Sequence, residues 1–295
     1  MKIKKSIGSR IFDMFNVIAM ILLCVVTLYP CYYVLVASIS DPTQFYNGSS
    51  LVLWPRGIGF SSYEAVLRNN SLWISYRNTI FYVVLGTILS VLLTTSAAYS
   101  LSRKRLKGRN IVMLLITFTM YFSGGMIPTY LTVRNYGILN TPFAMILPNV
   151  VAVYNLIITL SYFRSIPESL EEAARIDGAG ALRTFWQIMV PLAIPIVAVI
   201  SLYYAVGIWN DYMSGLLYIT KPNLKPLQMV LRDILLQEGG ASSAGSGDVA
   251  SAEEAAYAAN IRYATIVVST VPILCIYPFI QRYFIKGVMI GAVKG

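Results

Sequence analysis

Apolar residues fill long blocks of this chain, and polar ones gather in the segments between them. Six blocks reach membrane-crossing length: 12–38, 79–101, 111–133, 143–163, 194–219 and 264–285. A helix needs about 20 residues to cross roughly 30 Å of hydrocarbon, and each spanning segment must satisfy its own backbone groups there. The pattern therefore predicts an all-α integral membrane fold of six helices in a single domain, 1–295. Two connectors are long, 41–73 and 221–262, and a charged one, 164–193, separates the fourth block from the fifth. Gly124, Gly125 and Pro128 interrupt the third block, and Pro272 and Pro278 the sixth. These read as kinks, since Gly and Pro are frequent in membrane helices.

Composition agrees: 57% of residues are hydrophobic, 12% are charged, and the mean hydropathy is +0.65, outside the range of soluble domains. The net charge of +10 is explained by position. Lys2, Lys4, Lys5 and Arg10 precede the first block, Arg103-Lys-Arg-Leu-Lys-Gly-Arg109 follows the second, and Arg282, Lys286 and Lys294 flank the end. Cytoplasmic connectors retain such residues, so both termini and the 164–193 loop are expected in the cytoplasm. Without a basic-aromatic surface, lipid is the expected neighbour and nucleic acid is not. The first block is too long for a signal peptide and lacks a small-x-small cleavage site, so it reads as an uncleaved span.

Chemistry is limited by what is missing. The chain has no His, and Cys24, Cys31 and Cys275 all lie within apolar blocks. No Gly-x-x-x-x-Gly-Lys-Ser/Thr loop is present to cradle phosphates. No enzyme, metal site or cofactor is expected, and any ATP-driven work must fall to another chain.

The 164–193 loop reads as two short helices joined at a turn. Ser165 and Glu168 have capping-box spacing with Pro167 in the first turn. Acidic Glu168, Glu171 and Glu172 suit the N-terminal end of a helix and Arg175 its C-terminal end. Asp177-Gly178 ends it, because Gly accepts a left-handed cap. A second helix is expected over about 181–190, before Pro191 and Pro195. Leu170, Ala173 and Ala174 form one small apolar face, and Phe185, Ile188 and Met189 another. By pattern alone this is a loop on the membrane surface or a docking element.

Glu172-Ala-Ala-x-x-Asp-Gly-Ala179, with Ile188-x-Val190-Pro191 further on, closely resembles the cytoplasmic signature of permease subunits of bacterial ATP-binding-cassette importers. The tail, Phe284-Ile-Lys-Gly287 to Gly291-Ala-Val-Lys294-Gly295, is similar to that of the smaller maltose-type, carbohydrate-uptake permeases. Val190 stands where the family usually has Leu. The resemblance implies a type I importer permease in the bacterial cytoplasmic membrane. Its docking surface for the ATPase would comprise Glu171, Glu172, Ala173, Ala174, Asp177, Gly178 and Ala179. Gly287, Gly291 and Lys294 would reach the interface between two ATPase subunits, which would hold ATP and Mg. A second, homologous permease would complete the path, and an extracytoplasmic sugar-binding protein would meet the 221–262 connector, whose Gly/Ser-rich 239–247 stretch is long for the family. The substrates implied are oligosaccharides, including fragments of plant or algal polysaccharides that carry uronic acids.

Inside the blocks, the Trp209-Asn210-Asp211-Tyr212 run stands out, because an ionisable residue at membrane depth is expensive unless it faces a polar cavity. At the outer interface the same carboxylate would simply be hydrated. Tyr203, Tyr204, Asn149, Tyr154 and Asn155 add aromatic faces and amides of the kind that suit a sugar. An ion-coupled transporter or a scaffold that does not transport are the competing classes. The first would need more intramembrane charge than Asp211 offers and usually inverted repeats.

Overall fold

A computed structural model describes residues 7–46, 52–240 and 257–275. Among these residues there is no strand, only an isolated bridge between Ser40 and Ile58. Three helices are long and apolar enough to cross a membrane: Gly8–Ile39, Asn70–Ser102 and Tyr257–Cys275. Three further apolar segments are bent pairs: Arg109–Tyr121 with Met126–Asn135 at 116°, Pro142–Asn149 with Val153–Ser165 at 54°, and Ala181–Leu192 with Ile194–Trp209 at 80°.

The blocks read as continuous helices therefore differ from the helices formed. The third breaks at the kink expected from Gly124, Gly125 and Pro128, where Gly125 takes φ +87°, a conformation that only Gly adopts readily. The fourth breaks before Ala152, whose N–H is taken by the Tyr204 hydroxyl at 3.0 Å. The fifth stops at Trp209, and a new helix, Met213–Tyr218, begins after Asp211. The Asp211 Oδ1 accepts the Ser214 N–H at 2.9 Å, as a capping side chain does. The second is longer than expected, since Asn70–Ser102 has 33 residues, about 50 Å of helix at roughly 1.5 Å per residue.

The described residues fall into two compact units, one drawn from 1–69 and 233–271 and the other from 70–232 and 272–295. In the first, the rings of Tyr33, Phe45 and Tyr263 meet edge to face at 5.7 to 6.2 Å. Asn260 Nδ2 donates to the Ser40 carbonyl at 2.8 Å. The Asp41 Oδ1 accepts from the Thr43 hydroxyl at 2.6 Å and from the Thr43 and Gln44 N–H groups at 3.1 Å. These donors, the Thr43 hydroxyl first, hold the Asp41 carboxyl below the usual carboxylate range.

In the second unit, Asn70–Ser102 is the central helix and packs against Val153–Ser165 and Ile194–Trp209. Gly86, Ser90, Thr94 and Ala98, one every fourth residue, line its buried side. Residues four apart share a helix face, and small side chains let membrane helices approach closely. Toward Ser102, Ala98 and Leu101 join Leu156, Leu160, Phe163, Met189 and Ala193 in one apolar core. Toward Asn70, polar pins join a second apolar core of Tyr82, Met145, Ile146 and Ile219. Asn78 Nδ2 donates to the Asn223 carbonyl and the Tyr82 hydroxyl to the Leu224 carbonyl, each at 2.8 Å, while Thr79 Oγ1 accepts the Leu227 N–H at 2.8 Å.

Candidate functional site

The 164–193 loop begins differently from its sequence pattern. Ser165 ends the preceding helix, its hydroxyl donating back to the Tyr162 carbonyl at 2.7 Å, so it caps nothing downstream. The first loop helix is Ser169–Ile176, and its opening turn is made by backbone bonds to the Pro167 and Glu168 carbonyls. Its end follows the pattern closely. Gly178 has φ +79°, the Ala179 N–H donates to the Ala174 carbonyl at 2.9 Å, and the Gly178 N–H donates to the Arg175 carbonyl at 3.0 Å. This pair of bonds is the Schellman arrangement. The second helix runs from Ala181 to Leu192 with one wide turn, Phe185–Met189, closed by the Val190 N–H on the Phe185 carbonyl.

The loop is anchored from within. Glu171 is buried, with only 8% of its surface exposed. One of its oxygens accepts from Arg103 Nη1 at 2.7 Å, and the other pairs with Arg175 one turn along. Arg103 lies just beyond the central helix, donates from Nε to the Ser102 hydroxyl at 3.0 Å, and rests its guanidinium over the Tyr99 ring at 4.7 Å. Tyr99 in turn packs on Phe185 at 5.0 Å and on Phe163 at 5.7 Å. An exposed pair, Lys104 with Glu168 at 3.0 Å, spans the same two segments.

This geometry divides the predicted docking residues. Ala174 is buried with Glu171, so neither is available to a partner. Glu172, Ala173, Asp177 and Gly178 are exposed, and Ala179 is half-buried. The sequence reading missed the most prominent groups on the outer side, Ile176 at 86% and Leu182 at 77% exposed and Trp186 also open, whereas Leu170, which it placed on an apolar face, is exposed. The signal for the missed groups was large apolar residues in a charged loop. Phe185 and Met189 turn inward instead.

The candidates within the apolar blocks separate in the same way. Tyr204 is buried, its hydroxyl bonded to Thr94 at 2.6 Å. Trp209 is buried edge-on against Tyr76 at 6.2 Å, and Asn155 is buried. Asp211 serves as the cap described above, and Asn210 Nδ2 bonds the Val206 carbonyl at 3.0 Å. Asn149 is exposed. Tyr154 and Tyr203 are brought together on an exposed face, with ring centroids 6.3 Å apart. Gly287, Gly291 and Lys294 lie outside the described residues.

The chain that carries this loop resembles known proteins along almost its whole length. The family described as "Binding-protein-dependent transport system inner membrane component" matches residues 5–290. Protein LplC of Bacillus subtilis (strain 168) is 39% identical over 289 residues, 98% of this chain and 96% of the relative. The polygalacturonan/rhamnogalacturonan transport system permease protein YtcP of the same organism is 38% identical over 291 residues, 97% and 99% of the two chains. Among solved structures, a chain of a bacterial ABC transporter involved in the import of the acidic polysaccharide alginate is 34% identical with a TM-score of 0.86, over 96% of this chain and 100% of that one. With the family match spanning almost every residue and the helices superposing at that level, this chain belongs to the inner membrane components of binding-protein-dependent transport systems.

Proposed function

We propose that this permease forms one half of the path of an ATP-driven oligosaccharide importer and that the open face of its 164–193 loop seats an ATPase subunit. The observation that carries this reading is the exposure of Ile176 and Leu182 beside Glu172 and Asp177. Large apolar side chains rimmed by charge are the usual mark of a docking patch. A second, homologous permease completes the path, two ATPase subunits hold ATP and magnesium, and an extracytoplasmic binding protein delivers the sugar. Both termini and the loop lie in the cytoplasm, in keeping with the clusters at Lys2 to Arg10 and Arg103 to Arg109. In the mechanism, closure of the ATPase pair displaces the loop, and the membrane helices rock from inward-open to outward-open. The docking contacts must therefore differ between the two states.

The substrate is read from two supports. The solved relative imports an acidic polysaccharide, and the exposed pair Tyr154 and Tyr203 offers aromatic faces of the kind that stack on sugar rings. Acidic oligosaccharides are the proposed class, and Tyr154 and Tyr203 the residues proposed to line the path.

Ile176→Asp tests the docking surface, because this side chain is almost fully open and its replacement disturbs little within the chain. The inserted protein is expected to equal wild type in amount. Recovery of the ATPase with the purified permease is expected to fall by about tenfold or more, the loss typical of one interface anchor. Undiminished recovery of the ATPase would overturn the docking assignment.

A further inference from the structure

Arg103 belongs to a basic cluster that membrane topology alone accounts for in the sequence. In the structure it does something that retention of positive charge does not require. Its side chain is 15% exposed and that of its partner Glu171 10%, so the pair is largely out of water. The guanidinium is fixed on three sides, by Glu171, by the Ser102 hydroxyl and by the Tyr99 ring. Glu171 is gripped at both oxygens, by Arg103 from the end of the central helix and by Arg175 from its own helix.

We infer that Glu171 is a positioning residue that carries displacement of the docking helix Ser169–Ile176 into the central helix Asn70–Ser102. This inference rests on the loop being the seat of the ATPase. Nearness alone does not show transmission, so the argument turns on which contact between the two helices is stiff. The Lys104 and Glu168 side chains are 74% and 57% exposed, and such a pair is weak, mobile and screened by salt. The Arg103–Glu171 contact is charge-assisted, shielded from water and oriented by a planar guanidinium. It joins the docking helix to a 33-residue helix that packs directly on Val153–Ser165 and Ile194–Trp209. A push on the outer face at Ile176 thus reaches the helix at the centre of this unit most directly through this salt bridge, with the exposed Lys104–Glu168 pair, the Phe185–Tyr99 ring contact from the second loop helix and the backbone at either end of the loop beside it.

Burial distinguishes this role from simple stabilisation. Removing Glu171 leaves Arg103 an unpaired buried charge and removing Arg103 leaves Glu171 with Arg175 alone, whereas removing both relieves most of that penalty, because the freed Arg175 side chain is 42% exposed. Stability is therefore expected to return in the doubly neutral protein, while transmission is not. The test is Glu171→Gln, Arg103→Gln and the double variant Glu171→Gln with Arg103→Gln, each purified as the full complex with its ATPase and binding protein and placed in vesicles. Sugar taken up per ATP hydrolysed is measured alongside the ATPase recovered. The double variant is expected to assemble like wild type, with uptake per ATP lowered about tenfold, within the usual range for one coupling contact. An unchanged ratio in an assembled double variant would overturn the inference, since transmission would then not need the pair, and so would failure of the double variant to assemble, since the pair would then be a staple of the fold. Failure of the wild-type chain itself to recover an ATPase would instead sink the docking reading on which this rests.

Discussion

Gly178→Val is expected to reduce binding-protein-dependent uptake to background while leaving the amount of membrane-inserted chain unchanged. The reason lies in the backbone. Gly178 has φ +79°, and a Cβ added there would meet nothing within 4 Å, so the valine is not excluded by its surroundings in this chain. It is excluded by its own conformation, since the left-handed region costs an L residue roughly 1–2 kcal/mol and is worst for β-branched side chains. Leaving that region breaks the bonds from Ala179 to Ala174 and from Gly178 to Arg175, and with them the end of the docking helix. Ile176, Asp177 and the path to Leu182 then lose their relative positions. Gly178→Asn separates the two ways in which uptake could fail, because Asn tolerates the left-handed conformation. Uptake kept by asparagine and lost with valine assigns the effect to the backbone. Loss with both means that the partner needs the space above the glycine, and full uptake with valine would remove Gly178 from the coupling loop's function.

The second large effect is expected at Gly215, where Gly215→Ala should lower the melting temperature of the purified chain by several degrees and Gly86→Ala should barely move it. A Cβ at Gly215 would lie 2.6 Å from Cγ and 3.1 Å from Cδ of Pro226; one at Gly86 would lie 2.7 Å from Cδ1 of Ile208. The first distances match, but the obstacles do not. The Pro226 ring is closed onto the backbone and cannot turn aside, so the Met213–Tyr218 helix must move, at about 1–3 kcal/mol for such overpacking. The end of the Ile208 side chain can change rotamer, and the next atoms at Gly86 are 3.5 Å away. Equal losses at the two sites would show that the packing around the central helix is as rigid as a proline ring, contrary to this account. Gly86→Leu fills that slack and is expected to separate the central helix from Ile194–Trp209.

Much of this was legible in the chain because it follows from local composition. Apolar blocks of about 20 residues have few fates other than a membrane. Asp177-Gly178 marked the end of the first loop helix because the left-handed cap is a property of one residue and its neighbours. The Glu-Ala-Ala motif pointed to the permease family by resemblance, and the family match bears that out. The start of that helix was less legible: Ser165 and Glu168 have the spacing of a cap, but the Ser165 hydroxyl finds a nearer acceptor at Tyr162 in the helix before it. The break at Gly125 was marked by Gly124, Gly125 and Pro128, whereas those at Ala152 and Trp209 were hidden, because hydropathy records how apolar a segment is and says little about whether it is straight.

The sequence by itself determined the class of the protein, its helical content, the bounds of the charged loop and the glycine that terminates its first helix, since each depends on residues within one turn or one span. Only the tertiary structure decided which face of the loop is open and which is held inward. Glu171 and Glu172 are adjacent and chemically alike, yet one is buried against an arginine 68 positions away in sequence and the other is exposed. That difference comes from where the end of the central helix arrives, and long-range packing of this kind leaves no trace in the spacing of neighbouring residues.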